Sequence, residues 1–543
     1  MYKANCPKCG SDNMRNKGPS KSGTSRRFLC RNCGKNSTVS NSDVTFVDDS
    51  TTADVEVFED ESFKVDPNLL SERIKQHEIF VITSVQNDTE TFTEFVDSLK
   101  SYVDKRQGML MAIPIRYKNP SAIVSHSQAE GLGWDPALSD YMIENEVVLS
   151  DHVKIVGDLN VQATAVNPLS GLEPITQGKT SIFGHAQLAM KTVPVNQHKR
   201  PIIMTTTGTV SHGNYSDSKA GYKANFHHSN SAIVIELDRK NDCHHIRQLI
   251  ANEDGSFYDI YGKFNPDGTF EELDSVPGLM LGDEHVIEVD EQVVFATFDM
   301  PDSIVKRLKP EVLVRQDVLD CYSVSHHHRN KAIQTYQKYV SGKNCLRSEL
   351  EEAAEYLIST TPSASQSWVI DSNHHDHLMR WLNEVNIKNE VWNAKVYHEL
   401  MFLVLSAVDR GIGNINPFAL WVYRNFKDKA VGQCGPITFI DSSKPRYIEG
   451  ILVSMHGDIG PNGARGTRKN LSMISEESMI GHSHSPGIEK GCWQVGTSSV
   501  IGLEYNKGPS GWMQTHGVIY PGGNRQLINI IGDTYYYNPR EIQ

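Results

Sequence analysis

The sequence predicts an α/β protein in three folded parts: a small zinc ribbon, a second α/β domain in the middle, and a larger layered α/β domain towards the C-terminus. Three observations predict it. Two C-x-x-C knuckles, Cys6/Cys9 and Cys30/Cys33, bracket about twenty residues, the spacing of a zinc ribbon. Residues 78–115 alternate between apolar runs and one amphipathic stretch, the pattern of a β-α-β unit. Further on, five short apolar runs are each followed within a few residues by Asp, Asn or His. The expected boundaries are 1–40 for the ribbon, 41–66 for an acidic linker, 67–275 for the second α/β domain and 276–543 for the last domain.

At 543 residues the chain is too long for one ordinary core. Its 38% hydrophobic and 22% charged content describes a globular protein. No apolar stretch approaches the ~18 residues that span a bilayer. Lys3, Cys6 and Lys8 stand where a signal peptide would be apolar, so the expected location is a cytoplasm, with no membrane partner. Cys243, Cys321, Cys345, Cys434 and Cys492 are odd in number and dispersed, which argues for reduced thiols. The net charge of −13 excludes a chain that coats nucleic acid uniformly.

In the ribbon, four thiolates close a tetrahedron, so one structural Zn2+ is expected, supplying folding energy that so small a module cannot find in its own core. Lys3, Lys8, Arg15, Lys17, Lys21, Arg26, Arg27, Arg31 and Lys35 make this head basic, and Phe28 offers a ring for stacking. DNA, held through its phosphates, is the expected partner, against a ribbon used only for folding or protein contacts. The run from Asp43 to Asp66 is acidic and poor in large apolar residues, as a linker would be.

In the middle, Glu78–Thr83 and Met109–Ile115 read as strands flanking a helix at Thr89–Lys105, and Val153–Val156 and Ile202–Thr206 as further strands. Two segments dense in Gly, Ser, Thr and Asn, around residues 167–187 and 205–228, are expected either as a phosphate-holding surface or as long solvated loops. Apolar surface left over here is compatible with a homo-oligomer.

The last domain carries the chemistry. Strands are expected at Leu279–Leu281, Val312–Val314, Trp368–Ile370, Ile451–Val453 and Met479–Ile480. After them come Asp283 and His285, Asp317 and Asp320, Asn373 and His374, His456, and His482 and His484. In layered α/β proteins ligands bind beyond the carboxyl ends of strands, so five distant segments can converge. Carboxylate and imidazole without thiolate suit Mn, Fe or Zn, and a carboxylate can bridge two cations where an imidazole cannot. Two Mn2+ ions are expected, with Fe, Zn or Mg as substitutes.

Taken in order, D-x-H, D-x-x-D, N-H, H-G and G-H-x-H resemble the calcineurin-like metallophosphoesterase superfamily, which includes protein phosphatases, cyclic-nucleotide phosphodiesterases and nucleases of double-strand-break repair. The resemblance runs from Val276 to the C-terminus and implies a layered β-sandwich flanked by helices. It implies that Asp283, His285 and His484 hold one metal, that Asn373, His456 and His482 hold the other, and that Asp317 bridges them. His374 resembles the catalytic His that protonates the leaving oxygen, with Asp320 as a buttress. Gln316 and Ser372 replace glycines of the family pattern, and His375 replaces an acid, leaving Asp376 to supply the carboxylate beside His374.

Arg465, Arg468 and Lys469 are candidate phosphate contacts, against a solvated basic loop, and His326 of the triple His326–His328 is a candidate substrate contact, against a solvated helix start. The whole chain resembles the large early DNases of tailed bacteriophages, which implies degradation of host DNA in an infected bacterium. A phosphomonoesterase or cyclic-nucleotide phosphodiesterase of the same fold is the alternative, followed by a non-catalytic DNA-binding protein.

Overall fold

Antiparallel pairing between the cysteine knuckles builds the first of two units in the computed structural model, Met1–Asp60, and everything from Glu61 to Gln543 forms the second. The structure describes residues 2–11, 14–19, 25–30, 32–33, 35–40, 42, 45–46, 67–117, 133–196, 199–328, 331–430, 434–502 and 506–536. In the first unit the strands Met14–Pro19, Ser25–Cys30 and Asn36–Ser40 form a three-stranded sheet, and Tyr2–Lys3 pairs with Thr45–Phe46. That last pair carries the ribbon beyond the expected boundary at 40. Most of the acidic linker, and the tip at 20–24, lie outside the described residues. Phe28, expected as a stacking platform, is fully buried and serves as the ribbon's small core.

The second unit has four sheets, a small three-stranded one of Phe257–Asp259, Gly262–Phe264 and Phe270–Glu272 and three large ones. One has six strands in the order Ile437–Ile440, Gln366–Ile370, Pro310–Arg315, Val276–Met280, Thr515–Ile519 and Arg525–Asn529, the first four parallel. A four-stranded sheet, Cys243–Ile250, Ser231–Asp238, Ile79–Gln86 and Met109–Ile115, lies at its edge. Side-chain amides join the two: Asn529 Oδ1 accepts from Ile246 N at 2.8 Å, and Gln248 Oε1 accepts from Leu527 N at 2.8 Å. The two sheets therefore act as one layer.

Facing that layer is a ten-stranded sheet that mixes distant parts of the chain: 447–494 supplies five strands and 146–206 the other five. The join is the antiparallel pair Met190–Val193 with Gly487–Glu489. Alternation along each strand sorts side chains to the two faces. Phe80, Ile82, Ile233, Ile235, Met280, Val312 and Val314 point into the shared core, where they meet Ile155, Ile182, Ile203, Met479 and Trp493 of the ten-stranded sheet. Ile79, Val81, Ala232, Val234, Leu279 and Leu313 point outward, under the helix Thr93–Arg106 and the segment 293–308. A third cluster packs the helices Leu346–Ser359, Asn373–Glu384, Ala394–Asp409 and Pro417–Ala430 against Val318, Leu319 and Val369.

All five strands expected before the ligand blocks are present, and Met109–Ile115 falls where the sequence places it. The break expected at 275 is not a break in packing, because strands from both sides of it share one sheet and one core. The start of the second Gly/Ser/Thr/Asn-rich segment, 205–211, is not solvated, whereas most of 212–228 is exposed or half-buried. Thr205, Thr206, Thr207 and Thr209 are buried, each hydroxyl donating to a main-chain carbonyl, as Thr206 does to Gln187 at 2.6 Å. Among the described residues no helix is long and apolar enough to cross a membrane.

Between the four-stranded sheet and its helix sits a buried ion network. Arg247 donates to Glu236 at 2.6 Å and to Asp259 at 2.8 Å, Arg106 donates to Glu236 at 3.0 Å, and the Tyr102 hydroxyl donates to Asp259 at 2.7 Å. Burial opposes ionisation of Asp259, but the Arg247 guanidinium outweighs it and holds the carboxyl below its ordinary value. Such a group contributes stability that is complete above the ordinary carboxylate pKa and is lost as pH falls through the depressed one. Replacing Arg247 by Met strands these carboxylates, and a loss of about 3–5 kcal/mol in urea unfolding at pH 7 is expected. The acid-unfolding midpoint should move to higher pH; an unchanged midpoint would contradict the assignment.

Candidate metal centres

In the ribbon the four sulfurs converge: Cys6 Sγ lies 3.7 Å from Cys33 Sγ, and Cys9 Sγ lies 3.6 Å from Cys30 Sγ. Sulfurs about 2.3 Å from a tetrahedral zinc stand about 3.8 Å apart, whereas a disulfide would bring them to about 2.05 Å. All four thiols are free and within 4.8 Å of one another. The set fits one tetrahedral ion with no open position.

The second centre lies where strands of the two facing layers end. Beyond Val276–Met280 and Pro310–Arg315 the chain keeps pairing through two loops, Glu284 N donating to Gln316 O at 3.0 Å and His285 N to Asp317 O at 2.8 Å. The buried Arg315 guanidinium clamps these loops, donating to both oxygens of Glu284 at 2.8 and 2.7 Å. From the opposite layer, His482 N donates to Asp283 Oδ2 at 2.7 Å. Gly481 precedes it because a Cβ there would lie 2.2 Å from Asp283 Oδ1 and 2.3 Å from Gln316 Oε1.

Asp283, His285, Asp317 and His484 are buried with ligand atoms all within 4.8 Å. His285 Nε2 faces His484 Nε2 at 3.0 Å, a gap that cannot hold a proton on each nitrogen. Asp317 Oδ2 stands 3.6 Å from His285 Nε2 and 3.2 Å from His456 Nε2, between two groups of donors. Asp283 Oδ1, Asp317 Oδ1 and Asn373 Oδ1 are buried without a hydrogen-bond partner. Each such atom costs roughly 1–3 kcal/mol if left so. Lone pairs aimed at a common space are what cations would satisfy. Asp283, His285, Asp317 and His484 therefore fit a metal centre, and the His482 ring, its centroid 5.2 Å from that of His456, stands beside it.

The surrounding groups set which nitrogen is bare. Asp320 Oδ1 accepts from His285 Nδ1 at 2.7 Å, leaving Nε2 to face the centre. Gln316 Oε1 accepts from His456 Nδ1 at 2.7 Å and does the same there. Gln316, a departure from the family pattern, thus has a task no glycine could perform. Ser372, a second departure, caps the helix Asn373–Glu384, its hydroxyl accepting from His375 N.

His374 corrects one expectation. Its Nδ1 is 3.0 Å from the Asp320 carboxylate and 3.0 Å from the Asp320 carbonyl, so Asp320 is the carboxylate beside it. Asp376 does not serve there; burial and the charge of Asp458 push its carboxyl up. For His374, burial would favour the neutral ring, but Asp317 and Asp320 outweigh it and raise the pKa to about 10. His456 is likewise raised to about 9 by Asp317, against burial. Asp317 itself, although burial opposes its charge, is driven well below the usual carboxylate range by His456, His374 and His285.

Backbone strain collects at the same place. His285, Asp317, His482 and His484 have φ of 44°, 48°, 76° and 56°, in the left-handed region that costs a side-chain-bearing residue of order 1–3 kcal/mol and clusters at functional sites.

Of the candidate substrate contacts, Arg465 and Lys469 are exposed, whereas Arg468 is not free. Its guanidinium donates to Ser485 O at 3.0 Å and Gln494 Oε1 at 3.1 Å, bracing the loop that carries His482 and His484. His326 lies in a turn rather than at a helix start, with its ring centroid 4.7 Å from that of His377. Sequence reasoning missed Glu284, Arg315 and Glu349. Glu284 lies between Asp283 and His285 and Arg315 stands two residues before Asp317, which is a usable signal; Glu349, accepting from Tyr322 N at 2.7 Å and Ser323 N at 3.0 Å, carries none.

The fold and centre together define an α/β protein with a four-cysteine module and a buried Asp/His group of metal-binding type. No family model matches the chain, and no solved structure matches it. Protein A1 of Escherichia phage T5 is 30% identical over 474 residues, covering 85% of this chain and 84% of that protein. The chain belongs to the family of phage T5 protein A1.

Gln316→Ala should weaken binding of one of the ions by about 10–100-fold, since outer partners of metal-bound imidazoles contribute at that level. Titration of metal-stripped protein checks this. Unchanged affinity would mean that Gln316 does not orient His456.

Proposed function

We propose that the chain is a two-metal, Mn-dependent DNA nuclease with a calcineurin-like metallophosphoesterase site, acting on host DNA during phage infection. The observation that carries this reading is the placement of Asp317 between His285 and His456, within a group of buried and unpartnered donors. Asp283, His285 and His484 would hold one cation, Asn373, His456 and His482 the other, with Asp317 shared. When bound, such a pair lowers the pKa of an attacking water and neutralises charge on a phosphate. His374, fixed through Nδ1 by Asp320, offers its other nitrogen as proton donor to the leaving oxygen. Exposed Arg465 and Lys469 offer charge to flanking phosphates. Relation to a phage protein and the basic four-cysteine module favour DNA over a small phosphate ester.

Purified protein should release acid-soluble nucleotides from duplex DNA with Mn2+ and stop on chelation. His374→Ala should lower the rate by about 10²–10⁴-fold while retaining its metal. DNA left intact under every divalent cation tried would refute the proposal, and faster turnover of p-nitrophenyl phosphate than of DNA would replace it by a phosphomonoesterase.

A further inference from the structure

A cluster of three histidines stands outside the Asp/His centre and shares no donor with it. His326 and His327 lie in the turn that follows Asp320, and His377 lies one helical turn beyond His374. Their ring centroids are 3.8 Å apart for His326 and His327, 4.7 Å for His326 and His377, and 5.8 Å for His327 and His377. One ring nitrogen from each falls within 4.8 Å of the others. His377 Nδ1 is buried and has no hydrogen-bond partner. Three imidazoles so close cannot all carry charge, and as neutral rings they present lone pairs to a common point.

The turn is held independently of any ion. Glu349 accepts from Tyr322 N and Ser323 N, and Lys338 Nζ donates to the Tyr322 carbonyl.

We propose that His326, His327 and His377 form a further mononuclear site for a transition-metal dication, separate from both the four-cysteine module and the Asp/His centre. An all-imidazole set without carboxylate suits Zn2+, Co2+ or Ni2+ and disfavours Mg2+ and Ca2+. Three protein ligands leave a fourth position open for water or a phosphate oxygen, the pattern of non-structural zinc sites. The site lies beside His374, whose ring centroid is 5.1 Å from that of His377.

Full-length protein stripped of metal and titrated with Co2+ tests this without reference to activity. Thiolate charge-transfer absorption reports the four-cysteine site, and the thermal unfolding midpoint reports the unit that carries the histidines, so loss of either fold is seen separately. His327→Ala, at an exposed position, and His377→Ala should each bind one equivalent fewer than the unaltered chain, or bind it at least 100-fold more weakly, with the thiolate band unchanged. Equal stoichiometry and affinity in the unaltered chain and both variants would overturn the site and leave the rings as a packing cluster. Either result is independent of whether DNA is cleaved.

Discussion

Three carboxylates, Asp283, Asp317 and Asp320, are buried together where the two sheet layers end, and the rest of the site follows from how that charge is compensated. An isolated buried carboxylate would take up a proton instead of remaining charged. Here the neighbouring imidazoles hold Asp317 ionised, and Asp320 is held by hydrogen bonds from His285 and His374. Of these imidazoles, His285 and His456 are donors that a cation would need in neutral form. Although burial opposes it, Asp317 and Asp320 raise the proton affinity of His374, and Asp317 raises that of His456; a bound cation would supply at His456 the compensating charge that a proton otherwise provides.

Rigidity of the two ligand loops comes from beneath. The Glu284–Arg315 pair is fully buried and bidentate, so it contributes geometry more securely than it contributes net stability. It fixes Asp283 and His285 on one loop relative to Gln316 and Asp317 on the next. Left-handed backbone at His285 and Asp317 turns both side chains into the centre, and continued pairing of the loops, reinforced by this clamp, keeps that strain from relaxing.

Much of this was legible in the sequence. Each ligand block follows a strand because a strand end in a layered fold is the place where main-chain groups become free, and the apolar runs marked those ends. The cysteine knuckles were equally legible, since thiolate spacing leaves few alternatives. What the sequence did not show was partnership across long separations. Gln316 and Ser372 read as departures because their partners, His456 and the amide of His375, are visible only in three dimensions. Nearness in sequence suggested Asp376 as the carboxylate beside His374, with Asp320 read as a buttress of the site, yet it is Asp320 that meets the ring. Phe28 read as an exposed ring because a basic, forty-residue segment gives little sign of having a core.

The expected separation of the middle region from the last domain failed for a reason that bears on the site itself. Periodicity identifies strands but not the sheet they join, and the strands of 146–206 complete the ten-stranded sheet instead of closing a sheet of their own. Their contact with the last domain is the pairing of Met190 with Ile488 and Lys191 with Gly487, directly after the loop that carries His482 and His484. A Cβ at Gly487 would lie 2.5 Å from the Arg468 guanidinium, which in turn holds Ser485 and Gln494. The position of two histidines thus depends on a strand almost three hundred residues earlier. Removing the middle region would leave an unpaired sheet edge beside the loop of His482 and His484, so the two segments constitute one folding unit.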